Sequence, residues 1–142
     1  MSGFEAEQQA IETHLAVEWA AGTYPLIELI FANTDEKQPS GVASMALSIL
    51  PGGSGQKSIG GSPIIRHVGL VQIDIFIPEG DGTREAGRLA DAVALIFERQ
   101  RLSTSGGTIV FGTVDRTPMP PKHGVYHTLV SFPFRRDRQT SP

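Results

Sequence analysis

The segment from Ile64 to Ile77 constrains the fold of this chain more than any other. From residue 71 to residue 77, every second residue is Val or Ile, and Gln72 and Asp74 lie between them. This period of two predicts a β-strand with one buried face and one more polar face. The buried face needs a second layer of structure packed against it.

Hydrophobic periodicity predicts two helices and five strands in the order α-β-β-β-α-β-β. The first helix ends near Gly22, and the second begins after Thr83, a favourable N-cap residue. The strands are predicted at residues 26–31, 42–50, 64–77, 108–116 and 125–136. The predicted helix faces comprise Phe4, Gln8, Ile11, Leu15 and Trp19 in the first helix, and Ala86, Leu89, Ala90, Val93, Ile96 and Phe97 in the second.

These elements predict an α+β fold with two layers. Short connections favour antiparallel pairing in an antiparallel or mixed sheet, and both helices cover one face of it. Residues 1–134 are predicted to form one domain, and residues 135–142 a flexible basic tail. The Gly-rich and Ser-rich residues 51–63 predict a mobile hairpin, residues 103–107 a loop and residues 117–124 a stiff proline-rich turn.

The composition excludes several classes of function. The 142 residues carry a net charge of -3, without the basic excess of a dedicated nucleic-acid binder. The absence of cysteine excludes disulfides, thiolate nucleophiles and cysteine zinc sites. The apolar runs are too short to span a membrane, and the acidic N-terminus predicts no signal peptide.

The stretch GGSGQKS at residues 52–58 invites comparison with a phosphate-binding loop. That motif requires a glycine directly before the lysine, whereas Gln56 precedes Lys57 here. It also requires the loop to open a helix, whose dipole and amides face the phosphate, whereas a strand is predicted to follow. A flexible hairpin, or a loop that orders on a partner subunit, explains the stretch better.

No other group of residues predicts catalysis or a cofactor. The four histidines, residues 14, 67, 123 and 127, do not show the spacing of converging metal ligands. No nucleophile elbow is present. The acids Glu79, Asp81 and Glu85 are explained by their position at the start of the second helix. We therefore predict no catalytic, metal or cofactor residues.

The sheet face away from the helices is predicted to be flat and weakly polar. Its residues include Ser44, Ala46, Ser48, Gln72 and Asp74. Such a face is either plain solvent surface or the packing surface of a symmetric assembly. The basic residues after 134 are either solvated or in contact with nearby DNA.

The order of motifs resembles a known family. A helix ending in Trp19 precedes Thr23-x-Pro25, and the Gly-rich loop contains Gln56-x-Ser58-Ile59-Gly60. The remaining motifs are Arg66-x-x-Gly69, Ile75-Phe76-x-Pro78-x-Gly80-x-Gly82, Ala86-x-x-Leu89-Ala90-Asp91 and Phe132-Pro133-Phe134. Together they resemble the tail-terminator or tail-completion proteins of long-tailed bacteriophages and prophages.

This resemblance implies a structural virion protein that is not an enzyme. It implies a hexameric ring on the head-proximal end of the tail tube, which stops tube polymerisation and joins the tail to the head. The implied partners are further copies of the chain, the tail tube protein, a head–tail connector protein and DNA in the lumen. The implied locations are the host cytoplasm during assembly and the tail of the virion.

Candidate docking residues lie in the Gly-rich loop, at the start of the long strand, in the turn before the second helix and in the basic tail. They are Gln56, Lys57, Ser58, Ile59, Gly60, Arg66, Asp81, Arg135 and Arg136. Two alternative functions stay open: another neck or head-completion protein, and a small ligand-binding domain that uses the Gly-rich loop.

Overall fold

The computed structural model describes residues 3–22, 27–31, 43–61, 63–78, 83–122 and 125–139. In chain order, the elements are α1 (Gly3–Ala20), β1 (Glu28–Phe31), β2 (Ser44–Gln56), β3 (Ile64–Pro78), α2 (Thr83–Phe97), β4 (Arg101–Thr104), β5 (Gly107–Phe111), β6 (Asp115–Lys122) and β7 (Val125–Gln139). The predicted order α-β-β-β-α-β-β is confirmed, with two more strands in the C-terminal part than the sequence predicted.

The strands form one mixed sheet. Its order is β1-β2-β3-β7-β5-β4, and β6 pairs with β7 beyond the end of β5. β1 is parallel to β2, whereas all other described pairs are antiparallel. The central pair is β3 with β7, in register over the whole length of both strands.

Both helices pack on one face of this sheet, which confirms the predicted two-layer α+β class. Odd-numbered residues of β3 and even-numbered residues of β7 point into the core beneath the helices. The alternate residues lie on the side that we call the open face. In α1, Ile11, Leu15 and Trp19 are buried as predicted, but Phe4 is 58% exposed. The predicted core face of α1 is therefore wrong at its first turn.

The C-terminal strands replace two segments that the sequence predicted as irregular. The predicted loop at residues 103–107 comprises the ends of β4 and β5 and the two-residue turn between them, and Gly107 adopts a φ of +116° that glycine tolerates. The predicted proline-rich turn at residues 117–124 lies largely within β6. Prolines fit there because β6 pairs with β7 alone among the described strands, and an edge strand needs no donors on its outer side.

Two long strands extend beyond their predicted ends. β2 continues through a register shift between Pro51 and Ser54 to Gln56, so the first half of the predicted Gly-rich loop is strand. β7 continues to Gln139, so the prediction of a flexible tail is wrong for residues 135–139. The physical reason is that residues 64–68 of β3 and residues 108–110 of β5 supply hydrogen-bonding partners on both sides of this segment.

Candidate docking surfaces

An apolar patch occupies the open face near the C-terminal end of β7. Leu50 and Val68 are 45% and 43% exposed, which is unusual for such residues in the middle of a sheet. The patch lines a shallow concavity of about 520 Å³. We define the open-face patch as Leu50, Val68, Leu70, Val110 and Pro133. The predicted weakly polar face is therefore correct only for the other half of β3, around Gln72 and Asp74.

Arg135 lies within the open-face patch. Its cross-strand partners are Val68 on β3 and Val110 on β5, so apolar residues flank it on both sides. No hydrogen bond or ion pair of its side chain is found among the described residues. The predicted candidate Arg135 is thus an exposed cation within an apolar surface, an arrangement common at the centre of protein–protein interfaces.

Arg66 and Lys57 converge on Asp137 beside this patch. Arg66 donates from Nε to Oδ1 at 2.8 Å and from Nη2 to Oδ2 at 3.0 Å, and Lys57 Nζ lies 3.4 Å from Oδ2. The hydrogen bonds from Arg66, followed by the positive charges of Arg66 and Lys57, lower the pKa of Asp137 to about 2. The same carboxylate raises the pKa of Arg66. The structure therefore brings together two candidates predicted separately and adds a third residue.

The turn after β2, which we call the hairpin tip (residues 56–61), is held by its own hydrogen bonds. The Lys57 amide donates to the carbonyl of Ile64 at 2.7 Å, and the Ile64 amide donates to Ser58 Oγ at 2.8 Å. Gln56 Nε2 donates to the Ser58 carbonyl at 2.8 Å. Ile59 is 98% exposed at the apex. All five predicted loop candidates lie in this tip, which leads into β3 and not into a helix, so the geometry of a phosphate-binding loop is not formed.

Arg136 points to the opposite side of the sheet and is buried. It is 1% exposed, and its Nε donates to Oε1 of Glu7 at 3.0 Å while Nη1 donates to the carbonyl of Gly106. Its guanidinium also lies 5.6 Å from the centre of the Phe4 ring. The expectation of an exposed docking residue is therefore wrong for Arg136, because it pins the first turn of α1 to β7.

His67 completes this buried cluster. Its Nδ1 is 2.6 Å from Ser54 Oγ, and its Nε2 accepts a hydrogen bond from Arg138 Nε at 2.9 Å. Burial, followed by the positive charges of Arg136 and Arg138, lowers its pKa. The acceptor role of Nε2 also requires a neutral ring. A positively charged His67 is thus disfavoured in the folded protein.

A second polar pair lies at the other end of the open face. His127 Nε2 is 2.6 Å from Oδ1 of Asp74, and its ring stacks on Phe76 with the ring centres 4.7 Å apart. Within the described residues, no three His, Cys, Asp or Glu side chains converge to hold a metal ion. The candidate Asp81 lies outside the described residues. No helix in the described part of the chain is long and apolar enough to cross a membrane.

Sequence reasoning missed the partner of Arg66 and most of the open-face patch. Asp137 falls within the predicted tail, although it shares the alternation of β7. Val68 and Leu70 continue the alternation of β3 on the same side as Gln72, which is the signal that predicts an apolar surface there. The cross-strand residues Val110 and Pro133 depend on strand register, which single-sequence patterns do not give.

The fold and these surfaces define a small α+β protein with an exposed apolar patch and exposed charged residues beside it. The chain matches the family described as "Phage tail terminator protein" over residues 8–134, and it belongs to that family. It is therefore a structural protein of the phage tail. Several solved structures match, and one of them has a TM-score of 0.77 and 20% identity over 100% of this chain and 99% of the other. At that identity the likeness shows the fold alone. No curated protein matches the chain.

Proposed function

We propose that this protein caps the head-proximal end of the phage tail tube as a hexameric ring, stops tube polymerisation and offers the surface that joins the tail to the head. It acts without catalysis or a cofactor. Subunits are made in the host cytoplasm and end in the tail of the virion, where DNA passes through the ring lumen.

The observation that carries this proposal is the open-face patch. Exposed apolar groups on a sheet face lower the free energy when a partner covers them. The positive charge of Arg135 at the patch favours a partner with a negative charge opposite it. Arg66 and Lys57 add positive charge beside the patch. A terminator needs separate surfaces for its tube, its neighbours and its connector, and the hairpin tip, which shares no residue with the patch, is a second candidate.

Electron microscopy of particles with a disrupted copy of this gene tests the role. Overlong tails of variable length, detached from filled heads, are the expected result. Tails of normal length that fail to join heads would instead assign the chain to the neck, among the head-completion proteins. Intact infectious particles would contradict both roles and return attention to the ligand-binding alternative, for which a thermal-shift screen with nucleotides and divalent metals is the direct assay.

Complementation tests the patch itself. Val68→Asp places a charge in the open-face patch without touching the core, so the variant is expected to fold and yet fail to restore tail length. The matched control is Leu95→Asp, since Leu95 is 83% exposed on α2, away from the patch. Equal complementation by both variants would remove the patch from the proposal.

A further inference from the structure

One subunit carries a protruding apolar residue and, elsewhere, a groove of complementary character. Ile59 at the apex of the hairpin tip is 98% exposed, so no described residue of its own subunit covers it. A single exposed apolar side chain is ordinary on a protein surface. Here, however, Lys57 and Ser58 are hydrogen-bonded to Ile64, which ties together the base of the turn that carries Ile59.

The groove lies between α1 and β2 on the helix-covered side. Its apolar walls are Phe4, Leu47, Ile49 and Pro51, and it encloses about 400 Å³. We call it the α1–β2 groove. Phe4 is 58% exposed there. The sequence predicted that Phe4 would be buried, but a single subunit does not bury it.

The charges of the two surfaces are opposite. Glu7 and Glu12 line the groove, and the described residues that line it include no Lys or Arg. Glu7 is buried against Arg136, whereas Glu12 is part-exposed and accepts a single long hydrogen bond, from Gln8 Nε2 at 3.3 Å, so Glu12 is the groove carboxylate that a second cation can reach. Lys57 is the single charged residue of the hairpin tip. Arg66 already holds Asp137 with two hydrogen bonds, so Lys57 can leave Asp137 without exposing an unpaired carboxylate.

We propose that the hairpin tip of one subunit docks into the α1–β2 groove of a second copy of this chain, with Ile59 against the apolar walls and Lys57 beside Glu12. The two surfaces are different parts of one molecule, so the contact is heterologous. A heterologous contact closes into a ring when its rotation permits. The inference rests on the ring of the proposed function and assigns the surfaces that join its subunits.

Disulfide trapping tests the contact, because the natural chain has no cysteine. Gln8 on α1 is one of the residues that line the groove. Purified Ile59→Cys and Gln8→Cys variants are mixed under mild oxidation. The expected product is a covalent heterodimer, and a chain that carries both substitutions is expected to give a ladder of higher oligomers. The matched control replaces the groove cysteine with Leu95→Cys on the exposed side of α2. Since trapping accumulates even a transient contact, equal yields with the groove and control variants would overturn the proposal.

Charge reversal supplies the second readout. Adding Lys57→Glu to the Ile59→Cys chain is expected to slow heterodimer formation about fivefold, and adding Glu12→Lys to the Gln8→Cys chain is expected to restore it. Failure of the second change to restore the rate would overturn the placement of Lys57 beside Glu12. Circular dichroism of each variant checks that the fold is retained.

The outcomes separate this contact from the terminator role. If trapping is specific for the groove cysteine but disruption of the gene leaves tail length normal, the contact stands and the proposed function is contradicted. Overlong tails in the disrupted phage, combined with no preference for the groove cysteine, would keep the function and overturn the contact. If the tube protein, and not a second subunit, shields the groove cysteine from oxidation, the groove has a different occupant and the proposal is overturned as well.

Discussion

Arg135 and Arg136 are adjacent in sequence, yet they lie in opposite environments. Arg135 is exposed on the open face between Val68 and Val110. Arg136 is 1% exposed beneath α1, where Glu7 and the Gly106 carbonyl accept its hydrogen bonds. The difference shows that strand alternation chooses the sheet face of a basic residue here, and that the cover of α1 then makes Arg136 part of the fold.

The same contrast extends to the carboxylates that pair with arginine. Glu7 is 6% exposed, so its charge depends on Arg136 for compensation. Asp137 is part-exposed, and water shares in stabilising its charge next to Arg66. The two ion pairs have similar hydrogen-bond lengths, so the difference in burial should separate their contributions to stability.

Removing the buried cation is expected to have the largest effect. Arg136→Met leaves Glu7 without its compensating charge and should lower the free energy of unfolding by about 3–5 kcal/mol. Arg135→Met, one residue away, should change it by no more than about 0.5 kcal/mol. Urea unfolding followed by circular dichroism measures both values.

A double variant shows whether the cost comes from the stranded charge. Glu7→Leu combined with Arg136→Met removes both charges, and it should recover much of the stability lost in Arg136→Met. An Arg136→Met variant as stable as Arg135→Met would contradict the buried pair and the contrast built on it.

Close packing on the helix-covered side gives the next effect. A Cβ at Gly69 would overlap the ring of Phe134 and approach the Leu50 carbonyl at 3.0 Å. Gly69→Ala should therefore lower the free energy of unfolding by about 1–3 kcal/mol. Gly53→Ala in β2 is the control, since a Cβ there meets nothing within 4 Å. A Gly69→Ala variant as stable as that control would mean that the Phe134 ring does not lie across Gly69.

The buried cluster should also make stability depend on pH. The pKa of His67 is lowered by burial and by Arg136 and Arg138, so the unfolded chain binds a proton more readily than the folded one. Stability should fall as pH drops below about 6.5, the ordinary pKa of histidine. Urea titrations at several pH values should show this loss in the natural chain and in His127→Gln but less of it in His67→Gln. An equal loss in all three would exclude His67 as the source.

The sequence predicts the parts of this fold that periodicity controls. The alternation of residues 71–77 and the apolar stripe of α2 are confirmed, since Val71, Ile73, Leu89 and Val93 are fully buried. The prediction fails where tertiary pairing overrides local composition. Residues 51–56 contain proline and three glycines, yet they form strand because β3 pairs with them. Residues 135–139 carry polar and charged side chains, yet β3 and β5 hold them.

The candidate site is predictable in part for the same reason. Lys57, Ile59 and Arg66 can be chosen from their neighbourhood in sequence, because loops and strand ends are where contacts concentrate. Asp137 cannot be assigned to Arg66 without the register that places them opposite each other across β3 and β7. Likewise, only the packing of α1 shows that Arg136 is withdrawn from the surface.

The smallest effect on the free energy of unfolding should come from the ion pair of Arg66 and Asp137 on the open face. Its pH dependence distinguishes it further from the buried pair of Arg136 and Glu7. Asp137→Asn should lower the free energy of unfolding by no more than about 1 kcal/mol near neutral pH, because water screens this part-exposed pair. Since the pKa of Asp137 lies at about 2, below its ordinary value, the contribution is present above about pH 4 and is lost as pH falls towards 2. The free energy of unfolding should therefore fall less steeply with acid in Asp137→Asn than in Asp91→Asn, where Asp91 is an exposed carboxylate on α2.

If Asp137→Asn cost as much stability as Arg136→Met, burial would not be what distinguishes the two pairs. A small cost combined with slower trapping of the hairpin tip would instead show that Arg66 and Asp137 shape a docking surface more than they stabilise the fold.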